Sequence, residues 1–507
     1  MQKKILVLVA ILFCTLKAYG IEDVKKEITD CGCEHHHHAE KAVEVKDGSV
    51  LNIRDCIAIG MEHSSIIKEA AYRLEIARSE VGIAKSAYFP ELGVGVGYRQ
   101  EFNSNRYDFL RNYRELPTVG VALNKMIWDF GRTTANIKMA DFLRIAAEYE
   151  FEDTVCSTVF DIKAHYYGLL KAKADFEAQK LEHNLQTNLV KEIQKLVKSG
   201  KKNNADLLYA QVELLKIKSE LKKAENEYKN AKERLNNSMF LVNAPNYTIY
   251  ETQSFTYNPA AQTAIKNISN VHSGKISKDD TVFQYPKLTY KQAVDIAYKN
   301  SPDIKALIAT RDSFEQALLM VKRSYYPELK AGVGYDLINT NLYNNNGLSV
   351  AVTIDSSINA MRQKYDLKGA HAQLDLADTE IKTFKENLYF TVREALNNVE
   401  TTYENLPIYK NQMNKSSENF KQTYDNYFSD KMNQLELESA REVYINSVKD
   451  YINSLYDYNI SLIELEMSMH EHLIDYHDDA EHAADYHEGN ENETLSRLIR
   501  CNKKHKH

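Results

Sequence analysis

The chain contains one unit written twice, and this duplication constrains its fold more than any other feature. Tyr88-Phe89-Pro90-Glu91-Leu92, running on through Tyr98, recurs as Tyr325-Tyr326-Pro327-Glu328-Leu329, running on through Tyr335, at an offset of 237 residues. Leu51 and Leu288 obey the same offset, so about 48 residues align without a gap. Further on, Ser199-Gly200 through Asp206 and Ala210 parallels Ser429-Asp430 through Glu436 and Ala440 at an offset of 230. The change of seven residues between the two registers is what a shortened loop produces. Internal repetition held in register over such lengths sets the organisation of the whole chain.

Each copy reads as helix, strand, loop, strand, long helix, turn, helix. From Leu92, the first strand places Leu92, Val94, Val96 and Tyr98 on one face and Gly93, Gly95, Gly97 and Arg99 on the other. Val119, Val121 and Leu123 alternate with Gly120, Ala122 and Asn124. The second copy repeats the pattern in Leu329, Ala331, Val333 and Tyr335, and again in Leu348, Val350, Val352 and Ile354. Four strands with one apolar and one small or polar face fit a membrane barrel that is greasy outside and wet inside. The same alternation also suits amphipathic hairpins laid on a soluble core.

Helix length weighs against the second reading. Arg132 to Ser199 contains no proline and a single glycine, Gly168, over 68 residues, or roughly 102 Å of helix. The flanking helices, about Leu51–Phe89 (39 residues) and Asn204–Asn237 (34 residues), stack to a similar length of roughly 110 Å. Leu214, Ile217, Leu221, Ala224, Tyr228, Ala231 and Leu235 alternate spacings of three and four, as do Val448, Tyr451, Leu455, Tyr458, Leu462, Leu465 and Met469. This is heptad packing, which needs partner helices along its whole length. The predicted fold class is therefore mixed: a long, coiled-coil-like α-helical barrel joined to a transmembrane antiparallel β-barrel with four strands per protomer. Four strands cannot seal themselves in lipid, where an open edge leaves backbone groups unsatisfied. Two copies would make a barrel too narrow for a pore, so a twelve-stranded homotrimer is expected.

The ends of the chain carry different signals. Met1-Gln2-Lys3-Lys4, the apolar run Ile5–Cys14 and the small-x-small site at Ala18-Tyr19-Gly20 make 1–20 a secretory signal peptide. Phe13 before Cys14 argues against lipidation. Of the 507 residues, 21–47 read as a Cys/His-rich extension, 48–243 as the first repeat, 244–285 as a linker, 286–476 as the second repeat, and 477–507 as an acidic, His-rich tail. A net charge of -7 argues against a nucleic-acid binder. The scattered cysteines form no disulfide framework. Cys31 and Cys33 beside His35, His36, His37 and His38, with His472, His477, His482 and His487 at the far end, offer thiolates and imidazoles suited to copper, zinc or nickel. The plainer reading is a polar tail that takes up metal adventitiously. No nucleophile elbow, phosphate-binding loop or metalloprotease motif is present, so no enzyme activity and no required cofactor are expected.

The duplication, the element order, the Tyr-Phe-Pro-Glu-Leu strand start and Trp128-Asp129-Phe130-Gly131-Arg132 at the strand-to-helix exit together resemble the TolC-like outer-membrane efflux protein family over roughly residues 48–475. The resemblance implies a trimeric, twelve-stranded barrel in the outer membrane, continued by an α-helical tunnel into the periplasm. It implies a passive exit duct for a tripartite efflux or type I secretion system, docked on a periplasmic adaptor protein and an inner-membrane transporter of RND, ABC or MFS type. By resemblance, Gly200, Lys201, Asp430 and Lys431 mark the tip turns that meet the adaptor, and Asp206, Tyr427 and Glu436 form the periplasmic gate. An acidic residue at the position of Glu436 lines the entrance, and a tyrosine like Tyr427 bonds to an aspartate like Asp206. The chain departs from the family at Ser439, at Met432, at Asp430 opposite Gly200, and at the second strand exit, Asp355-Ser356-Ser357-Ile358. Symmetry-related carboxylates around a narrow axis favour cations; Asp206 and Glu436 can equally be carboxylates favoured by a helix N-terminus. A secreted coiled-coil scaffold without a pore is the alternative, which the glycine-rich strands do not suit.

Overall fold

The structure, a computed structural model, describes residues 45, 47–102, 113–249, 288–340, 343–356, 359–429 and 431–471. The chain divides into two compact units. In the smaller, the Gly48 amide donates to the Asn246 carbonyl at 2.7 Å and the Asn246 amide to Asp47 Oδ1 at 2.8 Å. The larger unit holds every helix and strand named below.

The first copy begins with β1 (Val50–Leu51), α1 (Ile53–His63) and α2 (Ser65–Ser86). It continues through the hairpin β2 (Glu91–Phe102) and β3 (Tyr113–Trp128) into α3 (Arg132–Lys198) and α4 (Asn204–Ser238), and closes with β4 (Thr248–Ile249), which pairs parallel to β1. The second copy runs α5 (Tyr290–Asn300), α6 (Pro302–Arg323), β5 (Glu328–Thr340), β6 (Tyr343–Asp355), α7 (Ala360–Phe428) and α8 (Gln434–Met469).

The helix expected as one piece over Leu51–Phe89 is two helices, and its counterpart in the second copy is divided in the same way. The break falls at Ser64 and at Ser301, which hold the same place in the two copies at the 237-residue offset. Ser64 accepts from the Ile67 amide and Ser301 from the Ile304 amide, each with extended ψ near 115–117°. Serine competes with the helical backbone by bonding an amide three residues on. In the second copy Pro302 at the first helical position removes the amide that a continuous helix would need. The starts of α1 and α5 repeat one another too. Asn52 with Asp55 and Thr289 with Gln292 each close a reciprocal capping box.

The long helices form as their sequence predicts. α3 has 67 residues and α7 has 69, the latter with Pro407 inside it; each is about 100 Å long. The heptad residues of α4 are all buried or half-buried, and those of α8, from Val448 to Met469, are all buried. α8 packs on both α7 and α3, and α3 also receives α6. The two copies therefore interlock through helix–helix packing. Among the described residues no helix is long and apolar enough to cross a membrane.

The strands form one antiparallel sheet in the order β2-β3-β5-β6. Its register aligns the expected faces across all four strands. Val94 pairs with Val121, Val121 with Tyr335, and Tyr335 with Leu348. The opposite face brings Gly95 against Gly120 and Gly334 against Ser349. The apolar face is uncovered: Val94 is 71% exposed, Val96 82%, Val350 73% and Ile354 73%. One register shift, between Met126 and Trp128, turns the end of β3 where the sheet meets the helices.

Candidate channel and periplasmic gate

The join between sheet and helices explains the motif Trp128 to Arg132. Phe130 and Gly131 both adopt left-handed backbone, with φ of 55° and 82°. Asp129 accepts from the Gly131 amide at 3.0 Å and the Thr133 amide at 2.5 Å, capping α3 in place of the glycine at its N-cap. Arg323 from the second copy donates to the Gly131 carbonyl at 2.8 Å. A Cβ added at Gly131 would meet the same guanidinium at 3.0 Å, so both backbone conformation and space call for glycine. Arg132 pairs with Glu328 at the start of β5. Phe130 stacks on Tyr326 at 5.1 Å and meets Trp128 edge-on at 6.0 Å. These rings, together with Tyr88 and Phe89, are exposed and cluster where the sheet meets the helices.

At the opposite ends of the long helices lie the two tip turns. Gly200, with φ 74°, follows α3 in a Schellman turn: its amide donates to Val197 and the Lys201 amide to Leu196 at 2.9 Å. In the second copy the Lys431 amide reaches the Asn426 carbonyl at the same 2.9 Å. The bond that closes the turn is thus common to both copies. Asp430 lies outside the described residues. Asn203 and Asn433 then cap α4 and α8.

The gate residues expected from the sequence come together here. Asp206, Tyr427 and Glu436 line one open cavity of about 490 Å³ with Lys202, Lys431, Met432, Asn433 and Gln434. Tyr427 is fully buried. Lys202 Nζ sits 4.4 Å from its ring centroid, and Phe428 meets it edge-on at 5.2 Å. Asp206 occupies the first turn of α4. Glu436 accepts from the Asn433 amide at 2.9 Å while its own amide donates to Asn433 Oδ1 at 2.9 Å. Its carboxylate is therefore engaged at the N-terminus of α8 and also exposed towards the cavity. The proposed metal ligands Cys31, Cys33, His35, His36, His37, His38, His472, His477, His482 and His487 all lie outside the described residues.

A buried charge network near the candidate gate residues escaped the sequence reading. Arg441 on α8, 2% exposed, donates to Glu438 at 2.8 Å, to Glu182 on α3 at 2.9 Å and to Glu213 on α4 at 3.3 Å. Lys449 adds a second contact to Glu182 at 3.1 Å. Gln186 and Gln434 each donate to Glu438 at 3.0 Å. Burial works against the Arg441 charge, but Glu438, Glu182 and Glu213 outweigh it and hold its pKa above the ordinary arginine value. Its members belong to three helices and to both copies. The signal available in the sequence was a set of charged residues on otherwise apolar helix faces.

Known proteins share parts of this sequence and this shape. The outer membrane efflux protein family model matches residues 61–239, about a third of the chain. The outer membrane protein TolC of Vibrio cholerae is 31% identical over 96 residues, a stretch covering 18% of this chain and 21% of that relative. The chain thus aligns with about a fifth of the length of this curated relative. Among solved structures, the outer-membrane channel OprN superposes with a TM-score of 0.66 at 14% identity, over 82% of this chain and 89% of that one. CusC, whose structures describe transmembrane channel formation, gives 0.68 at 13% identity over 84% and 95%. The Campylobacter jejuni CmeC outer membrane channel gives 0.66 at 13% identity over 85% and 88%. These likenesses are ones of fold. The chain is thus similar to the outer membrane efflux protein family over residues 61–239, most of its first repeat, and shares the fold of solved outer-membrane channels over more than four fifths of its length.

Proposed function

We propose that the chain is the outer-membrane exit duct of a tripartite efflux or type I secretion system. The observation that carries this reading is the sheet. An uncovered apolar face runs across four strands, β2 and β6 stand at its edges, and helices of 67 and 69 residues continue from it. Lipid accepts such a face but not bare edges, so three copies close a twelve-stranded barrel β6 to β2. The helices extend it into the periplasm. A periplasmic adaptor meets the tip turns at Gly200, Lys201, Asp430 and Lys431, and an inner-membrane transporter of RND, ABC or MFS type supplies the work. Asp206, Tyr427 and Glu436 form the gate, with Glu436 repeated around the axis as the cation-favouring ring. Such a duct needs no cofactor. The Cys/His-rich ends would hand copper, zinc or nickel to or from a metal-exporting pump.

Extraction and conductance test the duct. The protein should require detergent, migrate as a heat-modifiable trimer and give discrete channels in planar bilayers. A freely soluble, non-conducting protein would instead be the periplasmic scaffold. A deletion strain exposed to copper, zinc, nickel, bile salts and dyes then tests the cargo. Selective metal sensitivity supports metal export, while broad drug sensitivity with indifference to metals removes that part of the reading.

A further inference from the structure

Where the last helix ends, the second copy places a side-chain cluster that the first copy lacks. Asp153 from α3, Asp303 in the first turn of α6 and His470 at the C-cap of α8 each offer one donor atom, all within 4.8 Å of one another. His470 Nε2 lies 3.0 Å from Asp153 Oδ1. The other ring nitrogen, Nδ1, is buried, so Nε2 is the one presented to the carboxylates. All three side chains are half-buried, which leaves room for a solvent ligand.

The duplication provides an internal control. At the 237-residue offset, Asp303 corresponds to Ile66, and at the 230-residue offset His470 corresponds to Phe240. The backbones match: Phe240 and His470 both adopt left-handed φ, 58° and 48°. The turns match as well, since Leu241 donates to Asn236 as Glu471 donates to Glu466. One architecture is thus built once with apolar residues and once with a carboxylate and an imidazole facing a second carboxylate. Helix packing alone explains the first set; in the second, Asp303 suits the N-terminus of α6 and His470 the C-terminus of α8, and both also converge on Asp153.

Charge points the same way. Lys305, two residues beyond Asp303, spends its ammonium on the Asn300 carbonyl at 3.2 Å and on the Tyr149 ring at 5.6 Å. Two carboxylates and one imidazole converging on one point are a donor set for a borderline divalent cation, with a fourth position left to water.

We propose that Asp153, Asp303 and His470 bind a divalent transition-metal ion of the zinc class, tying the end of α8 to α3 and to the start of α6. Tetrahedral zinc donors stand about 3.4 Å apart, given bonds of roughly 2.1 Å, so the described positions need only a small contraction. The site is independent of the duct and of its cargo. The ion is a clip between the two copies, held where the chain leaves the helices for its histidine-rich end.

The test uses the full-length, detergent-solubilised protein with the terminal ligands replaced (Cys31, Cys33, His35–His38, His472, His477, His482 and His487), so that those residues contribute no binding. After chelation and dialysis, Zn²⁺ titrated by calorimetry should fill one site per chain and raise the Tm. Asp303→Asn and His470→Asn should each weaken zinc affinity at least tenfold and abolish the Tm rise; asparagine tolerates the left-handed backbone at 470. Asp153→Asn supplies a third variant, and circular dichroism establishes that each is folded. Co²⁺ should give visible d–d bands without a thiolate charge-transfer band. No zinc bound by the terminally substituted protein, or equal affinity in the folded variants, would overturn the assignment.

Discussion

Arg441 Nη1 lies 2.9 Å from Glu182 Oε1, joining the last helix of the second copy to the long helix of the first across 259 residues of chain. The guanidinium serves three carboxylates, and removing it leaves buried Glu182 with Lys449 as its cation and buried Glu438 with only the amides of Gln186 and Gln434. Breaking a buried ion pair from one side costs about 3–5 kcal/mol. Arg441→Met should therefore lower stability by that order, and Arg441→Lys by less, because lysine keeps the charge but loses the planar fork. Thermal unfolding of the detergent-solubilised protein measures both. A loss below about 1 kcal/mol for Arg441→Met would mean the network contributes little.

Asp175 sets a pH dependence of the opposite kind to an ordinary ion-paired carboxylate. Burial raises its pKa to about 6, opposed by Lys171 and Lys449 and assisted by Asp457. Between the unperturbed value of 3.8 and about 6, the folded chain holds a proton that the unfolded chain has released. Stability from this group therefore falls as pH rises through that window and stays reduced above it. Asp175→Asn should flatten the pH profile between those values and raise stability at pH 7 by about 1–2 kcal/mol. An unchanged profile would place the titration elsewhere.

Glu436 caps α8, and one substitution separates that contact from the proposed part in cation selectivity. Glutamine keeps an acceptor for the Asn433 amide but carries no charge. Glu436→Gln should leave stability within about 0.5 kcal/mol while reducing the cation preference of single channels in planar bilayers. An unaltered ion-permeability ratio would put the selectivity ring at other residues.

Ser64 and Ser301 are both fully buried and each caps the helix that follows it. Replacing either with alanine should cost about 1 kcal/mol. The double variant should lose about the sum, since the two serines belong to different copies and share no partner. A result near zero would mean that the helix breaks persist for packing reasons alone.

The parts of the fold that were legible in the sequence are those that repeat a short period. Alternation in Leu92–Tyr98 and Leu348–Ile354 named the strand faces, and the three-four spacing from Val448 to Met469 named a buried stripe. The division at Ser64 and Ser301 was missed because apolar spacing continues across it, although Pro302 marked the position. The candidate gate residues were chosen by resemblance, and the shared cavity at Asp206, Tyr427 and Glu436 depends on how two distant turns meet. Arg441, Glu182, Glu213 and Glu438 were invisible for a related reason. Each looks like a solvated charge until helices hundreds of residues apart are laid side by side.

The open edges at β2 and β6 bear on how such a chain survives its own synthesis. A lone copy presents open strand edges beside an exposed apolar face, and these can pair with any neighbour, right or wrong. On the proposed trimeric assembly, productive encounters with two sisters compete with clumping at every step, and the odds worsen as loose copies accumulate. On that proposal, a cell making this protein has to escort each newcomer, or keep newcomers scarce, until a ring has closed.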